Sequence, residues 1–129
     1  MSTPEPRASV STSGPVLIVG TGLLGTSLAL VLRTAGVEVL LSDTSPTSLA
    51  LARDMGAGTL HGEDSPEPQI VVVATPPDVT ADVVVAQLSA HPSAVVTDVA
   101  SVKERVVAEV WARAGAQARR YVGSHPMAG

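Results

Sequence analysis

The sequence predicts an α/β domain built on a doubly wound, mainly parallel sheet. Three observations carry that prediction. Short continuous apolar runs alternate along the chain with segments of helical periodicity. The apolar residues are chiefly Val, Leu and Ala: 45% of the chain is hydrophobic but only 2% aromatic, with one Trp, one Tyr and no Phe. Strands buried between two layers of helices have that character. Finally, 129 residues is one domain's length on a prior of roughly 100–200, enough to bury a core.

The elements follow in order. Residues 1–14 are rich in Pro, Ser and Thr and contain one Val, Val10, with no apolar stretch of the secretory kind. They are expected to form a disordered tail, and residues 15–129 the domain. Residues 16–19 read as a strand ending in glycine. Leu24, Leu28, Val31, Leu32 and Ala35 then fall on one helical stripe, and Gly36 sits where a C-terminal cap belongs. A second strand is expected over 37–41. Ser45-Pro46 supplies an N-cap and a proline at the first helical position of a helix ending near Gly56. Residues 58–69 hold at most a short edge strand and an acidic loop. Residues 70–74 form the clearest strand, Asp78 is placed to cap a third helix running to about Ala90, and 95–99 form another strand. Val102, Val106, Val107, Val110 and Trp111 make the stripe of a fourth helix, which Gly115 stops. A last strand lies near 120–123. Parallel strands joined this way need right-handed crossovers.

Composition excludes several functions. There is no Cys, hence no disulfide, thiol nucleophile or cysteine-held metal, and no metal site is expected. A net charge of −4 and scarce aromatics give neither the electrostatic footprint nor the stacking platforms of a nucleic-acid binder. No apolar run approaches the ~20 residues that span a bilayer.

Gly20-Thr-Gly22-Leu23-Leu24-Gly25 follows the first strand and opens the first helix. Gly20 permits the tight turn, Gly22 close approach of backbone to a pyrophosphate, and Gly25 close packing of helix on sheet. The phosphates would rest at a helix N-terminus. Asp43 stands 23 positions after Gly20, where an acid bonds the adenine-ribose hydroxyls and repels a 2′-phosphate, favouring NAD over NADP. Thr44 and Ser45 are nevertheless placed to hold a phosphate. Thr75-Pro76-Pro77 lies at the carboxyl edge of the sheet, where it either braces a cofactor or merely ends a strand. Ser101 and Glu104 have the spacing of a capping box, yet a hydroxyl that caps a helix can still donate to a substrate or an imidazole. His125 follows the last strand and can take a proton near neutral pH. His61 and His91 lie in polar loops and are expected to face solvent.

Together these motifs resemble the prephenate and arogenate dehydrogenases, the hydride-transfer enzymes of tyrosine biosynthesis. The resemblance rests on the glycine turn, Asp43, Ala74-Thr-Pro-Pro77, Thr97-Asp-Val-Ala-Ser-Val-Lys103 and Gly123-Ser-His-Pro-Met-Ala-Gly129. It implies a Rossmann-like cytoplasmic oxidoreductase that binds NAD through Gly20, Gly22, Leu23, Leu24, Gly25, Asp43, Thr75 and Pro76. It also implies oxidative decarboxylation of prephenate or arogenate, with His125 and Ser101 catalytic. Family members continue into a mainly helical domain that dimerises and completes the substrate pocket. These 129 residues lack it, so on the resemblance the chain is an N-terminal fragment that supplies the cofactor half and is itself inactive. Two other readings are a stand-alone NAD-sensing module and a related dehydrogenase of a hydroxy acid or imine.

Overall fold

The computed structural model describes residues 14–100 and 103–123. Within them six strands form one parallel sheet: β1 (Val16–Val19), β2 (Val39–Ser42), β3 (Thr59–Leu60), β4 (Ile70–Val73), β5 (Val95–Asp98) and β6 (Tyr121–Gly123). Their order across the sheet is β3-β2-β1-β4-β5-β6. Val16 is level with Val39 on one side and with Ile70 on the other. The chain therefore leaves β1 toward one edge and returns to pair on its opposite side. That reversal is a topological switch point, and the crevice beyond the strands' carboxyl ends is where such sheets bind ligands.

Four helices cover the sheet: α1 (Leu23–Thr34), α2 (Pro46–Asp54), α3 (Pro77–Ala90) and α4 (Lys103–Ala114), the last running into a 3-10 turn at Gly115–Arg120. Side-chain alternation splits the core in two. Val16, Ile18, Val39 and Leu41 pack on the side of Ala29 and Ala52. Leu17, Val19, Val71, Val73 and Val96 pack against Val84, Leu88, Val106 and Val110. Every residue of β1 is buried, which is why the strand is a continuous apolar run. Arg120 closes the far end, donating to the carbonyls of Leu88 (2.7 Å), His91 (2.9 Å) and Ala94 (2.8 Å) where α3 ends.

The fold class is as expected, and several local details differ. The buried face of α1 is Gly25, Thr26 and Ala29, flanked by Leu28 and Leu32, while Leu24 and Val31 of the expected stripe are 57% and 64% exposed. Small residues win because they let the helix lie close on the sheet, so the large ones are displaced to its flanks. On α4 the expected stripe holds at Val106, Val110 and the partly buried Val107; Lys103 joins it, Trp111 is half exposed, and Val102 lies outside the described residues. The second strand starts at Val39, two residues later than expected. The third helix starts at Pro77 with Pro76 as its cap, placing Asp78 in the first turn. Neither proline has an N–H to leave unsatisfied, so both suit a helix start. Gly14 belongs to the domain: it is buried at φ +100°, and a Cβ there would stand 2.6 Å from the Glu38 carbonyl oxygen. The rest of the expected tail lies outside the described residues. His91 is buried, with Nδ1 3.0 Å from Glu67 Oε1 and its ring edge-on to the half-buried His61. Its partner is 24 residues away in sequence.

Candidate functional site

The glycine turn joins β1 to α1, and each glycine answers a different contact. Gly20 has φ +107°, and a Cβ on it would stand 2.5 Å from the Ala74 carbonyl oxygen. A Cβ on Gly25 would collide with the Gly20 carbonyl, whereas around Gly22 there is nothing within 4 Å. The turn is thus tight on the protein side and open on the other. Gly22 caps α1 without a side-chain hydrogen bond, and no acidic residue stands in the helix's first turn. An anion meets a favourable dipole there, with no carboxylate in the helix's own first turn.

Asp43, just past β2, holds the turn from the side. Its Oδ2 accepts from the Thr21 backbone N–H (2.6 Å) and the Thr21 hydroxyl (2.7 Å), and its Oδ1 from the Ser45 N–H (2.8 Å). Partial burial pushes this carboxyl up, but the hydrogen bonds from Ser45, Thr21 and Thr44 outweigh it and hold Asp43 below the ordinary aspartate range. Ser45 is committed twice, since its hydroxyl also accepts from the Ser48 N–H (3.2 Å) and caps α2. Ser45 is thus the N-cap of α2 that the sequence predicts, and its hydroxyl, an acceptor in that cap, still has its proton to donate.

Thr75 and Pro76 form the opposite wall. The Thr80 hydroxyl donates to the Pro76 carbonyl (3.0 Å) and lies 3.2 Å from the Thr75 hydroxyl, fixing the loop against the first turn of α3. Between the walls lies a cleft of about 1040 Å³. It brings together Gly20, Gly22, Leu23, Leu24, Asp43, Thr75 and Pro76, seven of the eight residues expected to bind a cofactor. Gly25 lies behind them, buried under the turn. Sequence reasoning missed Ser48, Gln87 and the apolar flank of α3 formed by Val79 and Val83, all of which line the cleft. The four-residue spacing of the two valines was the available signal. The cradle, the apolar wall and the Asp43 carboxylate fit a dinucleotide: space for phosphates over a helix start, a surface for a flat base, and an acceptor for a sugar hydroxyl.

Further along the same edge Asp98 ends β5, fully buried. Its Oδ2 accepts from Lys103 Nζ (2.6 Å) and the Ala100 N–H (2.9 Å), and its Oδ1 from the Tyr121 hydroxyl (2.6 Å). Burial and the adjacent carboxylate push the Tyr121 hydroxyl well above the ordinary tyrosine range. One carboxylate thus ties together β5, α4 and β6. Ser101 and His125, the expected catalytic pair, lie outside the described residues; Ala100, Lys103 and Gly123 are their nearest described neighbours in the chain. Among the described residues no group of three or more His, Asp or Glu side chains is placed to hold a metal, and no helix is long and apolar enough to cross a membrane.

Comparison with known proteins agrees with this geometry. The chain is 41% identical over 114 residues to the probable prephenate dehydrogenase NovF of Streptomyces niveus, covering 88% of this chain and 31% of that protein. The solved arogenate dehydrogenase of Synechocystis superposes with a TM-score of 0.67 at 28% identity, over 89% of this chain and 41% of the other. A Corynebacterium glutamicum structure, provisionally named a prephenate dehydrogenase, gives 0.71 at 34% identity over 89% and 37%. The chain spans about a third of the length of NovF. The family described as prephenate dehydrogenase, nucleotide-binding domain, matches residues 28–129, and a nicotinamide dinucleotide is the cofactor that family implies. The chain belongs to the prephenate dehydrogenase nucleotide-binding domain family.

Proposed function

We propose that this chain supplies the cofactor-binding half of a cytoplasmic, NAD-dependent dehydrogenase that converts prephenate to 4-hydroxyphenylpyruvate, or arogenate to tyrosine. The observation that carries the reading is the cleft in which the open face of Gly22, the start of α1 and Asp43 converge. NAD is favoured over NADP because Asp43, held below the ordinary aspartate range, is ionised at neutral pH and repels a 2′-phosphate.

In the proposed reaction the substrate ring loses its carboxylate as CO2 and hydride from the carbon bearing the 4-hydroxyl, and aromatises. A nicotinamide dinucleotide, when bound in the cleft, would supply the hydride acceptor. His125 accepts a hydrogen bond or the proton from the hydroxyl as the carbonyl character of the carbon develops, a transferred proton returning to the phenolic oxygen on aromatisation, and Ser101 contacts the same hydroxyl and orients the imidazole. In the full-length protein a helical domain completes the substrate pocket and forms a homodimer. Gly20, Gly22, Leu23 and Leu24 carry the dinucleotide phosphates, Gly25 lets the helix approach, Asp43 holds the ribose, and Thr75 and Pro76 brace the cofactor.

The decisive assay is NADH production by the full-length protein, substrate domain included, supplied with prephenate or with arogenate. Turnover with one of them is expected, and NAD binding without turnover of either sinks the reading. In that assay His125→Asn should lower kcat by ~10²-fold or more, as for a positioned acid–base group, with NAD affinity little changed. Near-normal turnover removes His125 from the mechanism.

A further inference from the structure

The Asp43 carboxylate is nearly full. An ionised carboxylate offers about four lone-pair positions. Three are taken: Oδ2 accepts from the Thr21 N–H and the Thr21 hydroxyl and Oδ1 from the Ser45 N–H, at 2.6–2.8 Å. The carboxylate beside the glycine turn therefore has one acceptor position left, whereas a ribose presents two vicinal hydroxyls.

The three donors are not equal. Two are backbone N–H groups whose directions are set by the glycine turn and by the start of α2. The third, the Thr21 hydroxyl, sits on a side chain and turns with one torsion. Thr21 itself is buried, and its carbonyl is held by the Thr26 hydroxyl at 3.0 Å, so the backbone stays in place when the hydroxyl swings.

We propose that the Thr21 hydroxyl is a placeholder: it occupies the Asp43 acceptor position that the adenine-ribose 2′-hydroxyl takes when a dinucleotide binds, and so sets the affinity for NAD relative to NADP. The inference rests on the reading of the cleft as a dinucleotide site and adds a residue that tunes it. A ribose hydroxyl entering this site exchanges one hydrogen bond to the carboxylate for another, and its net gain is small. A 2′-phosphate makes no bond to Asp43 in either case, so the placeholder weakens NAD selectively.

Thr21→Val removes the hydroxyl, keeps the side-chain shape and leaves the Thr21 N–H bond to Asp43. By calorimetric titration of the full chain, Thr21→Val should bind NAD about 3- to 10-fold more tightly, the worth of one net hydrogen bond. Its NADP affinity should be unchanged, so that the NAD-to-NADP ratio rises by the same factor. Thr21→Ser, which keeps the hydroxyl, should behave as the wild type. Weaker NAD binding, an unchanged ratio, or equal tightening of both dinucleotides overturns the proposal. The wild-type chain gives a second measurement that needs no variant: exchanging NAD for 2′-deoxy-NAD should weaken binding by less than about fivefold, since the lost hydroxyl was only replacing Thr21. A larger loss overturns the proposal. Binding of neither NAD nor NADP by the wild type overturns the dinucleotide reading and the placeholder with it. Binding of NAD with an unchanged ratio overturns the placeholder alone.

Discussion

Two carboxylates end neighbouring regions of the same sheet edge and are used in opposite ways. Asp43, after β2, is partly open to a cleft and is surrounded by uncharged donors. Asp98, at the end of β5, is sealed from water and neutralised by Lys103 while Tyr121 donates to its other oxygen. The first keeps its charge where a ligand meets it. The second spends its charge on joining three elements. Position at a carboxyl edge thus makes a residue available for function, and burial together with the sign of its neighbours decides whether it serves as a ligand contact or as a joint.

The contrast can be broken at its strongest point by Lys103→Met. Removing one partner of a buried ion pair leaves Asp98 uncompensated and should cost about 3 kcal/mol or more, read as a lowered urea midpoint with an unchanged slope. A loss below ~1 kcal/mol would mean that water reaches Asp98 and that the two sites are alike. Tyr121→Phe probes the same joint more gently. It deletes one hydrogen bond to a charged acceptor and should destabilise by about 1.5–2 kcal/mol while leaving NAD affinity unchanged, because Tyr121 does not line the cleft.

The smallest expected effect is at Asp43 and concerns pH. Its folded-state pKa lies below the free value of 3.8. The stability it contributes is therefore fully present above pH 3.8 and is lost as the pH falls through the folded value. Wild type should exceed Asp43→Asn in urea stability at pH 7, and the gap should narrow below pH 3.8. A gap constant with pH would show that the donors around Asp43 do not favour its charged form.

Much of this architecture was legible because the governing physics is local. Parallel strands covered on both faces must be continuous apolar runs, so β1 and β4 announce themselves, and the spacing of Gly20, Gly22, Gly25 and Asp43 follows from a turn that any dinucleotide site needs. Ser45 was readable as a cap because its acceptor role reaches only to Ser48. The misreadings share a different cause. The core face of α1 was assigned by size, whereas close approach to the sheet selects Gly25 and Ala29. His91 was taken for a surface residue, although Glu67 and the reach of Arg120 to its carbonyl enclose it. The joint at Asp98 brings in Tyr121 from 23 residues away, and no short-range pattern encodes that contact. Thr21 was passed over because the residue between the first two glycines is ordinarily free to vary. Its importance appears only once its hydroxyl is seen on Asp43.

Arg120 carries a consequence for how the chain is assembled. The last carbonyls of a helix have no partner within it, and at the end of α3 a guanidinium from just before β6 supplies partners to Leu88, His91 and Ala94. A chain emerging from the N-terminus reaches α3 some thirty residues before it reaches that arginine. Until then this half of the sheet has a ragged edge, and the docking of β6 completes α3 and the sheet in one event. Loss of the segment from Arg120 to Gly123 would therefore weaken the end of a helix three elements upstream, making the domain's cooperativity depend on those four residues.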